Sequence, residues 1–346
     1  MLGLRSLPRT LEACFRDVAS EKMEARAEAT EELGRHLAEG VCAADHERGV
    51  LALTKSLTDA HPAVRSRAAT ALADAGATSA LPSLLLAVED DDAFVRQMAL
   101  SALGELGDAR ATSRLSRALD DTRPEVRYQA LIAFTRVCPD EATDAVTKAL
   151  GDDDCAVRHI ALRLAEDAFE QGKSADPWLR AATRLLSDEH VDVAVAAAIL
   201  LARATPPGAL PKAAKELLLA VARGDKRGEV SVEEEQGALE ACGAARIVDA
   251  IPLLERRAYG LARLVRDTSV LHAKGALAAL GHARATADIV EDLASKRPER
   301  RDKAILAAGR ARLEGARSAL VLLAKEDATR ELAEEALARL RSVTPA

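Results

Sequence analysis

In the stretch DDDAFVRQMALSALGELGDA (90–109), the apolar residues Val95, Ala99, Ala102 and Leu103 alternate with Arg96, Gln97, Ser101 and Glu105. A spacing of i, i+4, i+7, i+8 lines one face of a helix and leaves the other polar. The same skeleton is written upstream as TDAHPAVRSRAATALADAGA (58–77) and downstream as DDTRPEVRYQALIAFTRVCP (120–139). A second apolar stripe follows each, as Ala80, Leu84, Ala87 and Val88, and then as Ala111, Leu115, Ala118 and Leu119. The pattern predicts two helices per unit, repeated.

The register is strict. Val-Arg recurs at Val64-Arg65, Val95-Arg96, Val126-Arg127 and Val157-Arg158, each 31 residues after the last. Ala stands four residues after each Val (Ala68, Ala99, Ala130, Ala161), and Asp five before it (Asp59, Asp90, Asp121, Asp152). An aliphatic closes the preceding second helix at Leu57, Val88, Leu119 and Leu150. Looser copies extend upstream to Ala25, Ala29 and Leu33, and downstream to a terminal TRELAEEALARL, making about ten units with the last ending after its first helix. Gly76, Gly107, Gly243, Gly281 and Gly309 are expected to close first helices in a left-handed turn. Pro82, Pro211 and Pro252 suit first turns of second helices, and the Asp column suits the start of the next first helix. A lone helix pair cannot bury its stripe, whereas stacked neighbours can, so the repetition predicts an α-solenoid.

The unit D-x-x-x-x-V-R-x-x-A-x-x-A-L-x-x-x-G, written at 59–76 and 90–107, resembles the short HEAT-like repeat of the phycobilisome-lyase type. The resemblance is specific over about residues 50–165 and weakens beyond 205. It implies an all-α, right-handed solenoid of stacked two-helix repeats. We read residues 1–346 as one array, with regular repeats over 1–204 and degenerate repeats with a C-terminal cap over 205–346. The stretches ATPPGALP (204–211) and RGDKRGEVS (223–231) read as loops between units.

Composition narrows the picture. Hydrophobic residues make up 49% of the chain but aromatics only 2%, so thin Ala- and Leu-rich helical layers fit better than a thick aromatic core. The first 200 residues carry 23 Lys and Arg against 34 Asp and Glu, the remainder 25 against 21. That acidity argues against nucleic acid as a general partner. The five cysteines are scattered and odd in number, which is cytoplasmic usage without a disulfide framework. Neither a signal-peptide run nor an 18-residue apolar stretch is present, so a membrane span is not expected.

Enzymatic signals are thin. His36, Cys42 and His46 lack a fourth metal ligand and the zinc spacings. His46-Glu47 is a single His-Glu pair, where HEAT-repeat di-iron hydroxylases carry several. Phycobilin lyases share the repeat, but this sequence offers no diagnostic catalytic motif, and its one Trp and two Tyr leave little to stack on a tetrapyrrole. Alkylpurine DNA glycosylases built of HEAT-like units would find Trp178 beside Asp176 and little else. The basic runs ERRAYGLARLVR and KRPERRDK are interspersed with acids and read as solvated helix faces.

One column carries more. Two residues before the aliphatic that closes each second helix stand Lys55, Leu86, Arg117, Lys148, Arg184 and Lys215. At ~100° per residue this position lies opposite the buried stripe. The resemblance implies that second helices line the concave surface, where the column would form a basic ladder. Arg110 and Arg114 lie near the same face, and Arg256 extends it. The Arg of each Val-Arg pair is expected to meet the Asp column of a neighbouring repeat. The reading is a non-catalytic scaffold that needs no cofactor or metal and binds another protein, an acidic segment by preference, along the second helices. A bilin-lyase-like or glycosylase-like enzyme is the alternative.

Overall fold

A computed structural model describes residues 9–341, apart from 207, 227 and 261–268. The ends of ATPPGALP and RGDKRGEVS are described, but Pro207 and Arg227 lie outside the described residues, as do the last six of ERRAYGLARLVR. Among the described residues there are twenty α-helices and no strand. The chain is a helical repeat solenoid, and it divides into two compact units, Met1–Leu164 and Ala165–Ala346.

In unit 1 the first helices are α2 (Met23–Glu39), α4 (Pro62–Asp74), α6 (Ala93–Leu106) and α8 (Pro124–Val137), with the start of α10 (Cys155–Glu170). Helices α2, α4, α6 and α8 pack side by side in order, with the second helices α3 (Ala43–Ser56), α5 (Leu81–Ala87), α7 (Thr112–Ala118) and α9 (Ala142–Ala149) beside them; α1 (Leu11–Asp17) precedes the array and packs on α2. Val64, Val95 and Val126 and the alanines four residues on are fully buried, as the stripe requires. Small side chains let first helices approach closely. A Cβ added to Gly104 would lie 2.9 Å from the Ala133 Cα, and one added to Gly34 would lie 2.8 Å from that of Ala71.

Arg65, Arg96 and Arg127 meet the Asp column as expected. Arg65 forks onto Asp90 (2.7 Å through both Nε and Nη2), Arg96 onto Asp121 and Arg127 onto Asp152, each one repeat on; Arg26 does the same with Asp59. Each guanidinium also donates to carbonyls of its own preceding loop, as Arg65 does to Asp59 O at 2.9 Å. The column carboxylates cap the loop and not the helix. Asp90 accepts from the Asp92 N–H, and Asp92 then caps α6 through the N–H groups of Phe94 and Val95.

Burial alone would raise the Asp90, Asp121 and Asp152 carboxyls, but the arginine and backbone donors outweigh it and hold all three below the usual range; for Asp59 the Arg26 bond is the largest influence. Carboxyls that ionise more readily in the folded chain stabilise it above their unfolded pKa of about 4, and that contribution is lost as pH falls through the lower folded values. The thermal midpoint is therefore expected to fall between pH 5 and pH 2. Asp90→Asn should lower it at pH 7 while showing a smaller acid drop than the unchanged chain.

Unit 2 continues with first helices α12 (Val191–Ala204), α14 (Val232–Ala244), α16 (Val270–Ala279), α18 (Pro298–Arg310) and α20 (Arg330–Arg341). Between them run α11 (Asp176–Leu185), α13 (Lys212–Arg223), α15 (Ile251–Tyr259), α17 (Ala283–Leu293) and α19 (Arg317–Leu323). Pro82 and Pro252 sit in first turns as expected, while Pro211 is the residue before α13. The glycine reading needs a correction here. Gly76, Gly107 and Gly281 take positive φ, but Gly243 and Gly309 lie buried inside α14 and α18. The left-handed residues of those repeats are Arg246 (φ 54°) and Arg312 (φ 49°), three positions on. Gly243 and Gly309 serve close approach instead: a Cβ there would lie 2.8 Å and 2.9 Å from the Cα atoms of Ala276 and Ala336.

Helix α12 is buried on every side from Val193 to Ala202, as an all-round apolar helix should be. Its surroundings close because unit 2 winds tightly. Glu170 on α10 and Arg339 on α20 are 169 residues apart in sequence and 3.5 Å apart in space. Five layers of ~10 Å in a straight stack would hold those helices roughly 50 Å apart. In unit 2 the first helices therefore face inward, not the second helices as the resemblance implies.

Candidate functional site

On unit 1, Lys55, Leu86, Arg117 and Lys148 occupy equivalent positions on α3, α5, α7 and α9, and all are exposed. They do not form a bare row of cations. Glu89, in the loop after α5, pairs with Arg114 and lies 3.7 Å from Arg117, and Asp120 pairs with Lys148 from the repeat before. Arg110 turns back onto its own neighbour Asp108 at 2.7 Å, which pushes that carboxyl down to about 2. Lys55 makes no ion pair among the described residues.

Two apolar residues stand out more than the charged ones: Leu86 of the column, and Leu51, which the helical phase of the column did not single out. Leu51 is 72% exposed and Leu86 is 69% exposed. Arg48, Leu51 and Lys55 sit at i, i+3 and i+7 on α3 and share one stripe. With Phe15 of α1 they border an open groove of about 620 Å³, and the Arg48 guanidinium lies 3.8 Å over the Phe15 ring. An apolar floor with cations at its edge can anchor a side chain and orient an acidic neighbour.

The remaining ladder residues lie in unit 2. Arg184 on α11 is exposed and makes no ion pair among the described residues, whereas Lys215 on α13 is held by Asp249 at 2.6 Å. Arg256 donates to the Arg223 carbonyl at 2.8 Å. These sit on second helices, away from the inward face of their unit.

That inward face carries a charge cluster that the sequence reading missed. Arg203 on α12 reaches Glu166 at 2.8 Å, Glu170, and Glu240 on α14 at 3.3 Å. Glu240 also accepts from His272 Nδ1 on α16 at 2.6 Å and from Arg310 on α18 at 2.8 Å. Burial opposes the charge on Glu240, but the donation from His272 and the fields of Arg310 and Arg203 win and bring its carboxyl down to about 2. Burial likewise works against Arg203, and the three carboxylates more than offset it. A faint signal exists in sequence: Arg203 stands ten residues after Val193, but the same position in unit 1 is Asp74, Glu105 or Arg136. Only the winding of unit 2 turns that column inward.

His36, Cys42 and His46 each bond a different partner. His36 Nε2 bonds the Arg9 carbonyl at 2.8 Å, Cys42 Sγ donates to Asp45 at 3.1 Å, and His46 Nε2 lies 3.4 Å from the Ala75 carbonyl. Trp178 is 1% exposed and belongs to the core, so it offers no face to a base or a pigment. Among the described residues no helix is long and apolar enough to cross a membrane.

Residues 50–134 match the family model of HEAT repeats, a stretch that spans α4 to α7, the second half of α3 and most of α8. No curated protein sequence matches the chain. Among solved structures, the chain is similar to YibA of Escherichia coli, at 15% identity over 80% of this chain and 93% of that one, with a TM-score of 0.55. It is similar to Kap95p, solved with RanGDP, at 14% identity over 96% of this chain and 53% of that one, with a TM-score of 0.52. It also matches the phycocyanin lyase complex of CpcE and CpcF from Nostoc sp. PCC7120, at 18% identity over 73% of this chain and 96% of that one, with a TM-score of 0.44.

Proposed function

We propose that this protein is a non-catalytic scaffold that holds a partner protein on the second-helix face of unit 1. The observation that carries the reading is the exposure of Leu51 and Leu86 on consecutive second helices, beside Lys55 and Arg117. Exposed ion pairs contribute only ~0–1 kcal/mol each, so the two leucines are the anchors and the cations select an acidic flank. The HEAT-repeat match over these same helices supports the reading. The five free cysteines suit a reducing compartment, and we place the protein in the cytoplasm.

The test compares proteins retained by the immobilised chain and by a Leu86→Asp/Arg117→Glu variant. Loss of one desolvated anchor and one charge should weaken capture by about tenfold or more, at ~1.4 kcal/mol per decade. The fold should be unchanged, since both residues are exposed. Thr70→Glu, on the exposed side of a first helix, should leave capture intact. Equal retention by all three chains would refute the assignment of this face.

A further inference from the structure

Gln236 and Glu240 on α14, Leu271 and His272 on α16, and Leu306 and Arg310 on α18 border a cavity of about 280 Å³ in unit 2. Small residues such as Gly275 and Ala307 form the rest of its wall. Among the described residues Glu240 is the one carboxylate bordering it, and three donors already hold it. Its oxygens accept from His272 Nδ1, from Arg310 and from Arg203. Because Glu240 stays ionised it can only accept, so His272 Nδ1 carries the hydrogen, and Nε2 makes no hydrogen bond among the described residues.

The donors around the cavity are far less committed. A guanidinium has five N–H groups, and among the described residues only Nη1 of Arg310 is engaged, on Glu240. The Gln236 amide makes no side-chain hydrogen bond among the described residues. The wall thus combines a carboxylate with three donors already on it, uncommitted donors and an apolar surface. A cation would meet Arg310 and, among the described residues, no carboxylate other than Glu240. A purely apolar molecule would leave the donors unused. A guanidinium fork matches a carboxylate in geometry as well as charge.

We infer that this cleft binds a small organic carboxylate, with its oxygens on Arg310 and Gln236 and its apolar body against Leu271 and Leu306. The site is separate from the second-helix face of unit 1 and stands or falls independently of it.

Calorimetric titration of the full chain with acetate, hexanoate and benzoate, each beside its uncharged amide, tests the assignment. Saturable binding is expected for hexanoate or benzoate, at least tenfold tighter than for the matching amide, with acetate weaker for want of an apolar body. Arg310→Met should weaken it by at least tenfold. Gln236→Leu touches no ion pair and should weaken it severalfold in a chain with unchanged circular dichroism, so it decides the matter if Arg310→Met disturbs Glu240. Absence of saturable binding by all three acids would overturn the assignment. So would equal affinity for acid and amide, or binding indifferent to Gln236→Leu.

Discussion

Gly104→Leu is expected to destabilise unit 1 by about 3 kcal/mol, read as a lower denaturant midpoint with an unchanged slope. Two effects oppose each other at this position. Glycine inside a helix costs roughly 1 kcal/mol relative to a good helix former, so any replacement begins with a gain. Against that, the first added carbon would already lie 2.9 Å from the Ala133 Cα and 3.0 Å from its Cβ. Those atoms belong to the facing helix and cannot swing aside as the end of a long side chain could. Leucine adds three further carbons to the same gap, and α6 and α8 must separate along their whole contact. Overpacking therefore wins. Gly104→Ala should fall between the two, with propensity offsetting much of a smaller clash. A Gly104→Leu midpoint equal to that of the unchanged chain would mean that first helices are not in direct contact here.

Arg203→Met is expected to cost unit 2 about 3–5 kcal/mol, the usual penalty for breaking a buried ion pair by removing one member. Methionine keeps the volume but withdraws the positive charge facing Glu166, Glu170 and Glu240. Glu166 is buried, so its carboxylate cannot recover the loss from water. Adding Glu166→Gln to the variant should restore part of the stability, because it removes the charge left behind. Arg203→Lys should lie between, since an ammonium group cannot fork to several carboxylates at once. Thermal midpoints of the three chains check the order. A double variant less stable than Arg203→Met alone would show that the penalty does not come from unpaired charge.

Much of the fold was legible because its determinants are columnar. A buried valine, an alanine four residues on, and an Asp–Arg bridge between repeats each leave a residue of fixed type at a fixed offset. Glycine does not. Gly76 and Gly107 supply a left-handed turn, while Gly104 and Gly243 supply room for a neighbouring helix. The letter is the same in both cases, and only the register separates them. In the repeats of Gly243 and Gly309 the turn position holds Arg246 and Arg312, so nothing nearby competed with the wrong glycine.

The candidate surfaces were legible in part. The exposure of Lys55, Leu86, Arg117 and Lys148 follows from helical phase alone. The intervening Glu89 and Asp120 that pair with the ladder depend on how one short helix follows another, which phase does not reveal. The cluster around Arg203 was harder still. Its members come from five helices far apart in sequence, and their meeting depends on the curvature of unit 2. The continuous apolar run of α12, VAVAAAILLA (193–202), was the available hint that a first helix becomes enclosed there.

The central claim is that a partner is held on the second helices of unit 1. Hydrogen–deuterium exchange on the captured complex, compared with the free chain, tests it most directly. Slower exchange should be confined to α3, α5 and α7 and the loops that follow them, with α4, α6 and α8 unchanged. Slower exchange on the first helices of unit 1, with the second helices unaffected, would contradict it.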